Sequence, residues 1–378
     1  MGADIKLRFE HEPLRSWTPT EFDAFLVWAT AMGASDVALI PGSPVWIRLH
    51  GIWLIASQRR VTTDEISALL DYTSRNPSAS AQVKGGEDQD YAYEIKIDRA
   101  SRRRFRVNAT GCRDGWNFGM ALVLRTIPAI PPTLEEIGVE REILDSAFPN
   151  NGLVLVTGVM GSGKSTLLAA MLRHIRQHQA RNILTYEAPI EFDLMDIPNP
   201  CGPLVQSAIP EHLRDFVRAP RNAARRAADV ILVGESRDPE TLRGLAEAAE
   251  IGVAAYSTVH TRSVSETPSR IINVFPGDLQ NQVASTLLAS LRLIIQQRLV
   301  PARQGGRVAL REFLVFTAEH REHLFQVPLS HLIPEIEQLV QKDGQPLVRD
   351  ARRKFEAGLI DEDHYRAIEH EREKTHVA

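Results

Sequence analysis

One segment constrains the fold of this 378-residue chain more than any other: Gly158-Val-Met-Gly-Ser-Gly-Lys-Ser-Thr166, a complete GxxxxGK[ST] motif. It follows the apolar run GLVLVT, which is typical of a buried strand, and precedes TLLAAMLRHIRQ, which is typical of a helix. Backbone N–H groups turn inward around phosphates in such a loop, and glycine permits that conformation where side chains would obstruct it. The order strand, glycine loop, helix predicts a phosphate-binding P-loop in an α/β domain.

The nucleotide-binding residues predicted from this motif share one short loop and the helix start that follows it. They are Gly158, Met160, Gly161, Ser162, Gly163, Lys164, Ser165 and Thr166. Lys164 is expected to reach the β- and γ-phosphates, and Ser165 to ligate a magnesium ion. The positive end of the helix dipole adds to the attraction of phosphate. ATP and Mg²⁺ are accordingly the predicted cofactors.

A second apolar run, Val230–Val233, follows Asp229 and delivers a carboxylate after its C-terminal end in the sequence Gly-Glu235. Ligands of open α/β sheets bind at the carboxyl ends of the strands. Phosphoryl transfer depends mainly on positioning and charge stabilisation, so a carboxylate there need not be a strong base. Glu235 is therefore the candidate for polarising the attacking water, and Asp238 is predicted to cap the next helix.

The chain changes character at Arg125–Pro132, RTIPAIPP, where three prolines in eight residues predict an interdomain linker. Before it, hairpin-like runs follow a helix with a Thr18–Glu21 capping box, which predicts a small α+β domain. The predicted helix covers Thr20–Met32, and the predicted strands cover Ser35–Ile40, Val45–Leu49, Trp53–Ala56, Tyr91–Ile97 and Arg104–Thr110. The first domain is placed at residues 1–125.

After the linker, fully apolar runs alternate with helical stretches, a pattern that predicts a parallel sheet covered on both faces. The runs are Leu153–Thr157, Ile183–Tyr186, Val230–Val233 and Val253–Val259, with residues 307–316 as a closing strand. From Ser330 the chain is helical and charged, with a predicted hairpin of helices turning near Gly358. The linker is placed at 126–140, the ATPase domain at 141–328 and a helical extension at 329–378.

Composition limits location and partners more than activity. The net charge of −4 gives no general reason to expect nucleic-acid binding, and Cys112 and Cys201 lack the spacing of a disulfide framework or zinc site. Charges interrupt the first fifteen residues, and no apolar run reaches the ~18 residues that span a bilayer. A cytoplasmic protein is expected, with any membrane attachment made through partners.

Four segments resemble, in order, the motifs of the secretion ATPases that include the pilus retraction motor. They are GVMGSGKST, ILTYEAPIEF at 183–192, DVILVGESRD at 229–238 and STVHT at 257–261, the last three similar to that family's Asp box, Walker B and His box. The likeness continues at residues 33–51, 104–110, 125–128 and 270–276, and covers roughly residues 20–320. The EAPIEF variant and charged C-terminus look most like the DotB and TraJ subgroup of type IVB secretion and conjugation.

The resemblance implies a PAS-like N-terminal domain, a RecA-like P-loop domain and a homo-hexameric ring working with inner-membrane secretion components, without a requirement for nucleic acid. It implies that Glu187 helps to arrange water and magnesium, that Glu235 also contacts the metal through water, and that His260 senses the γ-phosphate or links neighbouring strands. Glu191 is a secondary candidate. Arginines matching those that reach a nucleotide across a domain or subunit boundary are Arg104, Arg106 and Arg113, and Arg125 is expected to touch it from the linker.

One position departs from the family pattern. The usual Glu-Asp-Pro-Ile-Glu is Glu187-Ala188-Pro189-Ile190-Glu191 here, so the aspartate that names the Asp box is absent. Because Glu187 is retained, we expect altered local hydrogen bonding rather than lost hydrolysis.

Three other functions remain open: a pilus retraction-type ATPase, a RecA-type DNA translocase, and a nucleotide-gated scaffold with little turnover. A translocase predicts a basic channel with stacking aromatics. Arg214, Arg218, Arg221 and Arg225 have helical spacing, but Pro220 is expected to interrupt that helix, and Phe216 is the one interleaved aromatic. In the tail, His364, His370 and His376 are spaced by six residues, unlike a metal site, and are expected to face solvent.

Overall fold

The computed structural model describes residues 9–49, 51–98, 102–127, 130–236 and 238–377, with side chains described through Glu371. The chain divides into two compact units, Met1–Ala129 and Ile130–Ala378. Each unit has its own sheet and its own buried core. No helix in these ranges is long and apolar enough to cross a membrane.

The first unit is an antiparallel six-stranded sheet with helices on its buried face, in the strand order β3-β2-β1-β6-β5-β4. Its elements are α1 Pro19–Ala31, β1 Asp36–Leu39, β2 Pro44–Leu49, β3 Ile52–Arg60, α2 Thr63–Ser74, α3 Ala79–Lys84, β4 Gln89–Lys96, β5 Arg102–Asp114 and β6 Asn117–Ile127. The capping box predicted at Thr18 and Glu21 is present at the start of α1.

Sequence reasoning missed part of this unit. Helices α2 and α3 were not predicted, and β6 continues through Ile127, so the first two residues assigned to the linker pair with β5. The alternation of buried and exposed residues along β6 is the period-2 signal of a half-buried strand, and it could have identified the element. Pro128 and Ala129 of the predicted linker lie outside the described residues.

The second unit is a seven-stranded sheet in the order β13-β12-β7-β11-β10-β8-β9, parallel except for β13. Its strands are β7 Gly152–Thr157, β8 Ile183–Glu187, β9 Leu204–Ala208, β10 Val230–Val233, β11 Ala254–Val259, β12 Leu291–Pro301 and β13 Arg307–Val315. The predicted parallel sheet is present, and residues 307–316 form an edge strand as expected. Strands β9 and β12 were not predicted.

Helices cover both faces of this sheet, so β7, β10 and β11 are buried along their whole length. The helices are α4 Arg141–Ser146, α5 Lys164–His178, α6 Arg218–Ala224, α7 Pro239–Glu250, α8 Glu266–Ile272, α9 Gly277–Ser290, α10 Ala318–Phe325, α11 Leu332–Asp343, α12 Leu347–Glu356 and α13 Glu362–Val377. Gly358 has a φ of 70° between α12 and α13, which confirms the predicted turn.

Two expectations about charged segments were wrong. Pro220 does not interrupt a helix. Helix α6 begins at Arg218, so Pro220 lies in its first turn, where proline costs no hydrogen bond. Arg214 therefore lies outside α6, and the four arginines do not form one helical stripe. In the tail, His370 is exposed but His364 is half-buried with its Nδ1 covered; the side chain of His376 lies outside the described residues.

Candidate nucleotide site

The P-loop occupies residues 158–163, between the carboxyl end of β7 and the start of α5. Its glycines at 158, 161 and 163 have φ values of 140°, 77° and 82°, in the region that residues with a Cβ disfavour. A Cβ at Gly158 would overlap the carbonyl oxygen of Gln297, and one at Gly163 would lie 2.8 Å from the Gln297 Nε2. Both glycines are therefore required by conformation and by space, whereas Gly161 faces open space.

Lys164 lies inside the loop rather than in solvent. Its Nζ donates hydrogen bonds to the carbonyl oxygens of Gly158, at 2.9 Å, and Val159, at 3.0 Å. Burial lowers the pKa of Lys164, while the charges of Glu235 and Glu191 act in the opposite direction. The ammonium is thus held at the cradle, close to two carboxylates, where it can transfer from loop carbonyls to phosphate oxygens.

The other predicted loop residues differ in exposure. Ser165 and Thr166 lie half-buried in the first turn of α5, and the side chain of Met160 is exposed. Ser162 is buried, and its Oγ has no hydrogen-bond partner among the described atoms. Met160 can therefore line a cradle of N–H groups through its backbone but not through its side chain.

Glu235 and His260 contact each other directly, with 2.6 Å between Oε1 and Nε2. They follow β10 and β11, which are adjacent parallel strands, so their side chains meet at the carboxyl edge beside the P-loop strand. The contact places the predicted Walker B carboxylate and His-box imidazole in one pair. It also links neighbouring strands, one of the two roles expected of His260.

Hydroxyl groups fix the backbone under this pair. Ser257 Oγ donates to the Val233 carbonyl and contacts Ser236 Oγ, both at 2.7 Å, and Thr258 Oγ1 donates to the Gly234 carbonyl at 2.7 Å. These buried side chains join the ends of β10 and β11. All three lie within the Walker B and His-box segments, but nothing in the sequence indicates this positioning role.

Glu187 ends β8, the strand next to β10. Its Oε1 accepts hydrogen bonds from Thr185 Oγ1 at 2.6 Å and Gln206 Nε2 at 3.2 Å. Burial raises the pKa of Glu187 although both hydrogen bonds favour the charged form. A Cβ on Gly234 would lie 3.4 Å from the Glu187 Cα, so the Walker B segment passes close to the Asp box. Ala188, which stands where the family pattern has aspartate, is exposed.

Three of the four predicted arginines share the non-core face of the first unit's sheet. Arg106 and Arg125 are directly paired across β5 and β6, and Arg104 is two residues from Arg106 on the same face. Arg125 Nε lies 2.9 Å from Asp36 Oδ1, which anchors its otherwise exposed side chain. Pairing registers also place Arg48 of β2 beside Asp36, which adds an arginine that the sequence did not indicate.

Arg113 lies apart from these three. It is nine residues from Arg104 on the same strand, about 30 Å away at the rise of an extended chain, and on the opposite face. Its guanidinium stacks 5.5 Å from the ring centroid of Trp116, at the tip of the β5–β6 hairpin. Arg104 and Arg113 therefore do not form one anion-binding group within this unit.

The type II/IV secretion system protein family matches residues 87–367, most of the chain. The chain belongs to this family. It is 35% identical over 313 residues to the type IV pilus retractation ATPase PilT of Pseudomonas aeruginosa, covering 82% of this chain and 87% of that protein.

Solved structures agree with this membership. The Legionella pneumophila ATPase DotB has a TM-score of 0.86 and 38% identity, covering 96% of this chain and 98% of the other. The pilus retraction motor PilT with bound ADP has a TM-score of 0.79 and 29% identity, covering 92% and 96%. The resemblance inferred from the motifs, including the likeness to DotB, is confirmed, and this secretion-family protein is an ATPase that uses a nucleotide.

Replacing Gly158 with alanine in this secretion-family ATPase is expected to weaken ATP binding at least about tenfold, since a strained residue of this kind costs ~1–3 kcal/mol and its Cβ meets a carbonyl. Gly277→Ala is the matched control, because nothing lies within 4 Å of that position. Titration with a fluorescent ATP analogue measures the affinities. Unchanged affinity in the Gly158 variant would show that the loop adopts another conformation around phosphate.

Proposed function

We propose that this chain is the ATP-hydrolysing motor of a type IV secretion system of the IVB or conjugative kind, acting as a hexameric ring recruited to the cytoplasmic face of the inner membrane. The observation that carries the proposal is the likeness to Legionella DotB along nearly the whole of both chains. The EAPIEF segment, which resembles the same subgroup, supports it.

The proposed layout is a PAS-like domain at residues 1–125, a linker at 126–140, a RecA-like ATPase domain at 141–328 and a helical extension at 329–378. The α+β elements of the first unit, the P-loop sheet of the second and helices α11 to α13 support the order of these parts, and β6 extends the first of them to Ile127.

The residues around the P-loop fit a nucleoside triphosphate, since the loop faces open space at Gly161 and Lys164 supplies a buried positive charge. Mg²⁺ takes few protein ligands, so the Ser165 hydroxyl, with Glu187 and Glu235 acting through water, is a fitting donor set. When bound, the ion supplies neutralisation of phosphate charge. Glu235 orients the attacking water, and His260 holds that carboxylate through its 2.6 Å contact.

Arginines supply the remaining positive charge in this proposal. Arg104, Arg106 and Arg125 lie on one sheet face and are the best candidates for reaching a nucleotide across a domain or subunit boundary. Arg113 lies on the opposite face, where it stacks on Trp116, and is not assigned to this group. Such contacts would make closure of the ring depend on the γ-phosphate.

Pilus retraction is the second candidate, favoured by 35% identity to PilT over most of both chains. A deletion in the source organism separates the two. We expect loss of protein or plasmid export with unchanged twitching on a surface, and restoration of export by the wild-type gene but not by a Lys164→Ala allele. Loss of twitching with intact export would assign the chain to pilus retraction.

A biochemical measurement tests motor activity itself. Steady-state ATP hydrolysis should accompany assembly into rings, followed by light scattering, and should not change when DNA is added. Strong stimulation by DNA would support a translocase. Nucleotide-dependent assembly without turnover would support a gated scaffold.

A further inference from the structure

Gln297, a glutamine on β12, contacts the P-loop. Its side chain is buried, and its Nε2 donates a 2.7 Å hydrogen bond to the carbonyl oxygen of Ser162. The same nitrogen borders the space beside Gly163, and the Gln297 backbone carbonyl borders Gly158. The loop therefore rests on one residue at three places, and its shape depends on where that residue is held.

Arg311 of β13 holds the other end of this amide. Its Nε donates to Gln297 Oε1 at 2.8 Å, which fixes the amide so that its N–H₂ group faces the loop. The other guanidinium nitrogens donate to Glu140 Oε2, at 3.0 Å, and to the carbonyls of Gly138 and Ile137. With all three guanidinium nitrogens hydrogen-bonded and its side chain 1% exposed, Arg311 is held in one orientation.

Helix α12 completes this buried network. Lys354 Nζ lies 3.1 Å from Glu140 Oε1 and 2.7 Å from Asp350 Oδ2, and Asp350 also accepts the backbone N–H of Arg311 at 2.8 Å. The carboxylates of Glu140 and Asp350 are fully buried. Burial opposes ionisation of Glu140, but Arg311 and Lys354 together hold its pKa below the ordinary range.

The buried charges of this network balance, with Arg311 and Lys354 against Glu140 and Asp350. Removing one member of a buried ionic cluster leaves an uncompensated charge, which is strongly destabilising. Separating one member from the others is therefore costly, so we expect displacement of one to displace the rest. Helix α12 provides Asp350 and Lys354, and its half-exposed Arg353 also pairs with Glu140 at 3.1 Å and Asp350 at 2.6 Å. The position of α12 and the orientation of Arg311 are therefore joined.

We propose that Gln297, oriented by Arg311, is a positioning residue for the nucleotide, and that it couples the P-loop to helix α12. The coupling is reciprocal: whatever displaces α12 weakens nucleotide binding, and bound nucleotide stabilises α12. This goes beyond the motor role proposed above, because it concerns nucleotide affinity in the ATPase whatever machine it drives.

Gln297→Glu and Gln297→Met test the positioning role. The glutamate keeps an acceptor for Arg311 but turns an acceptor toward the Ser162 carbonyl, and the methionine removes both hydrogen bonds without adding charge. Each variant is expected to raise the Kd for ADP, and the KM for ATP, about tenfold, the effect of ~1.4 kcal/mol, with kcat changed less than threefold. Wild-type affinity in both folded variants would overturn the proposal.

Gln296→Met is the matched control. Gln296 precedes Gln297 on β12, is equally buried at 3%, and points to the opposite face of the sheet. Its affinity for ADP should equal that of the wild type. A purely structural role for Gln297 predicts instead that both Gln297 variants lower the melting temperature while binding ADP normally.

Hydrogen exchange tests the link to α12, and its wild-type arm requires no variant to fold. Saturating ADP should slow amide exchange at residues 347–356 in the wild-type protein and in Gln296→Met, and should have no such effect in Gln297→Met. An amide exchange rate in α12 that ADP does not change in the wild-type protein would refute the coupling. Because this readout needs only binding, its failure is distinct from failure of the proposed secretion role.

Discussion

Glu235→Gln is expected to lower kcat for ATP hydrolysis by about 10²-fold or more while leaving nucleotide binding nearly unchanged, the range attributed to a positioned general base. The substituted amide has the same size and keeps an oxygen able to contact His260 Nε2, now 2.6 Å from the Glu235 carboxylate. What it loses is the negative charge that orients and polarises the attacking water. The variant should therefore bind nucleotide with nearly wild-type affinity while its kcat falls.

Steady-state hydrolysis and direct ADP binding, measured on the same preparation, separate these two effects. Glu240→Gln provides the control, since it makes the same chemical change five residues away, at an exposed position in the first turn of α7. It should hydrolyse ATP at the wild-type rate. Turnover within threefold of wild type in Glu235→Gln would move the role to Glu187, the other carboxylate at this edge.

The nucleotide site was predictable where its signal is local. The glycine loop, the preceding apolar strand and the following helix are contiguous, so backbone geometry and chemistry are encoded together between residues 152 and 178. The placement of Glu235 and His260 was predictable for a related reason: each follows a mainly apolar run, and parallel strands bring their carboxyl ends to one edge. Their direct contact follows from that placement.

The supports of the site were not predictable, because they depend on pairing register and on contacts distant in sequence. Gln297 lies 135 residues from Ser162, and nothing near it in sequence distinguishes it from Gln296. Arg311 looks like a surface charge on an edge strand until α12 folds over it. The pairing of Arg106 with Arg125 likewise requires β6, an element that was not predicted from the sequence.

Lys164→Ala is expected to abolish measurable ATP binding and, with it, turnover. The ammonium of Lys164 makes two hydrogen bonds to loop carbonyls, and in the bound state it exchanges them for phosphate oxygens. At ~1.5–3 kcal/mol for each contact to a charged group, losing two raises the Kd for ATP by about 10²- to 10⁴-fold. Lys342→Ala, which removes an exposed lysine, should bind normally.

Because Lys164 is buried, its alanine variant also leaves a space beneath the loop, so Lys164→Met is needed to separate charge from packing. The methionine variant should lose affinity nearly as far as alanine while keeping the wild-type melting temperature.

The pH dependence of ADP binding gives a further check on the role of Lys164. Burial lowers the pKa of Lys164, so the wild-type protein should lose affinity for ADP as pH rises into the alkaline range, earlier than an ordinary lysine would deprotonate. Affinity in Lys164→Met should lack that decline, and an identical decline in both proteins would mean that another group carries the charge that holds the phosphates.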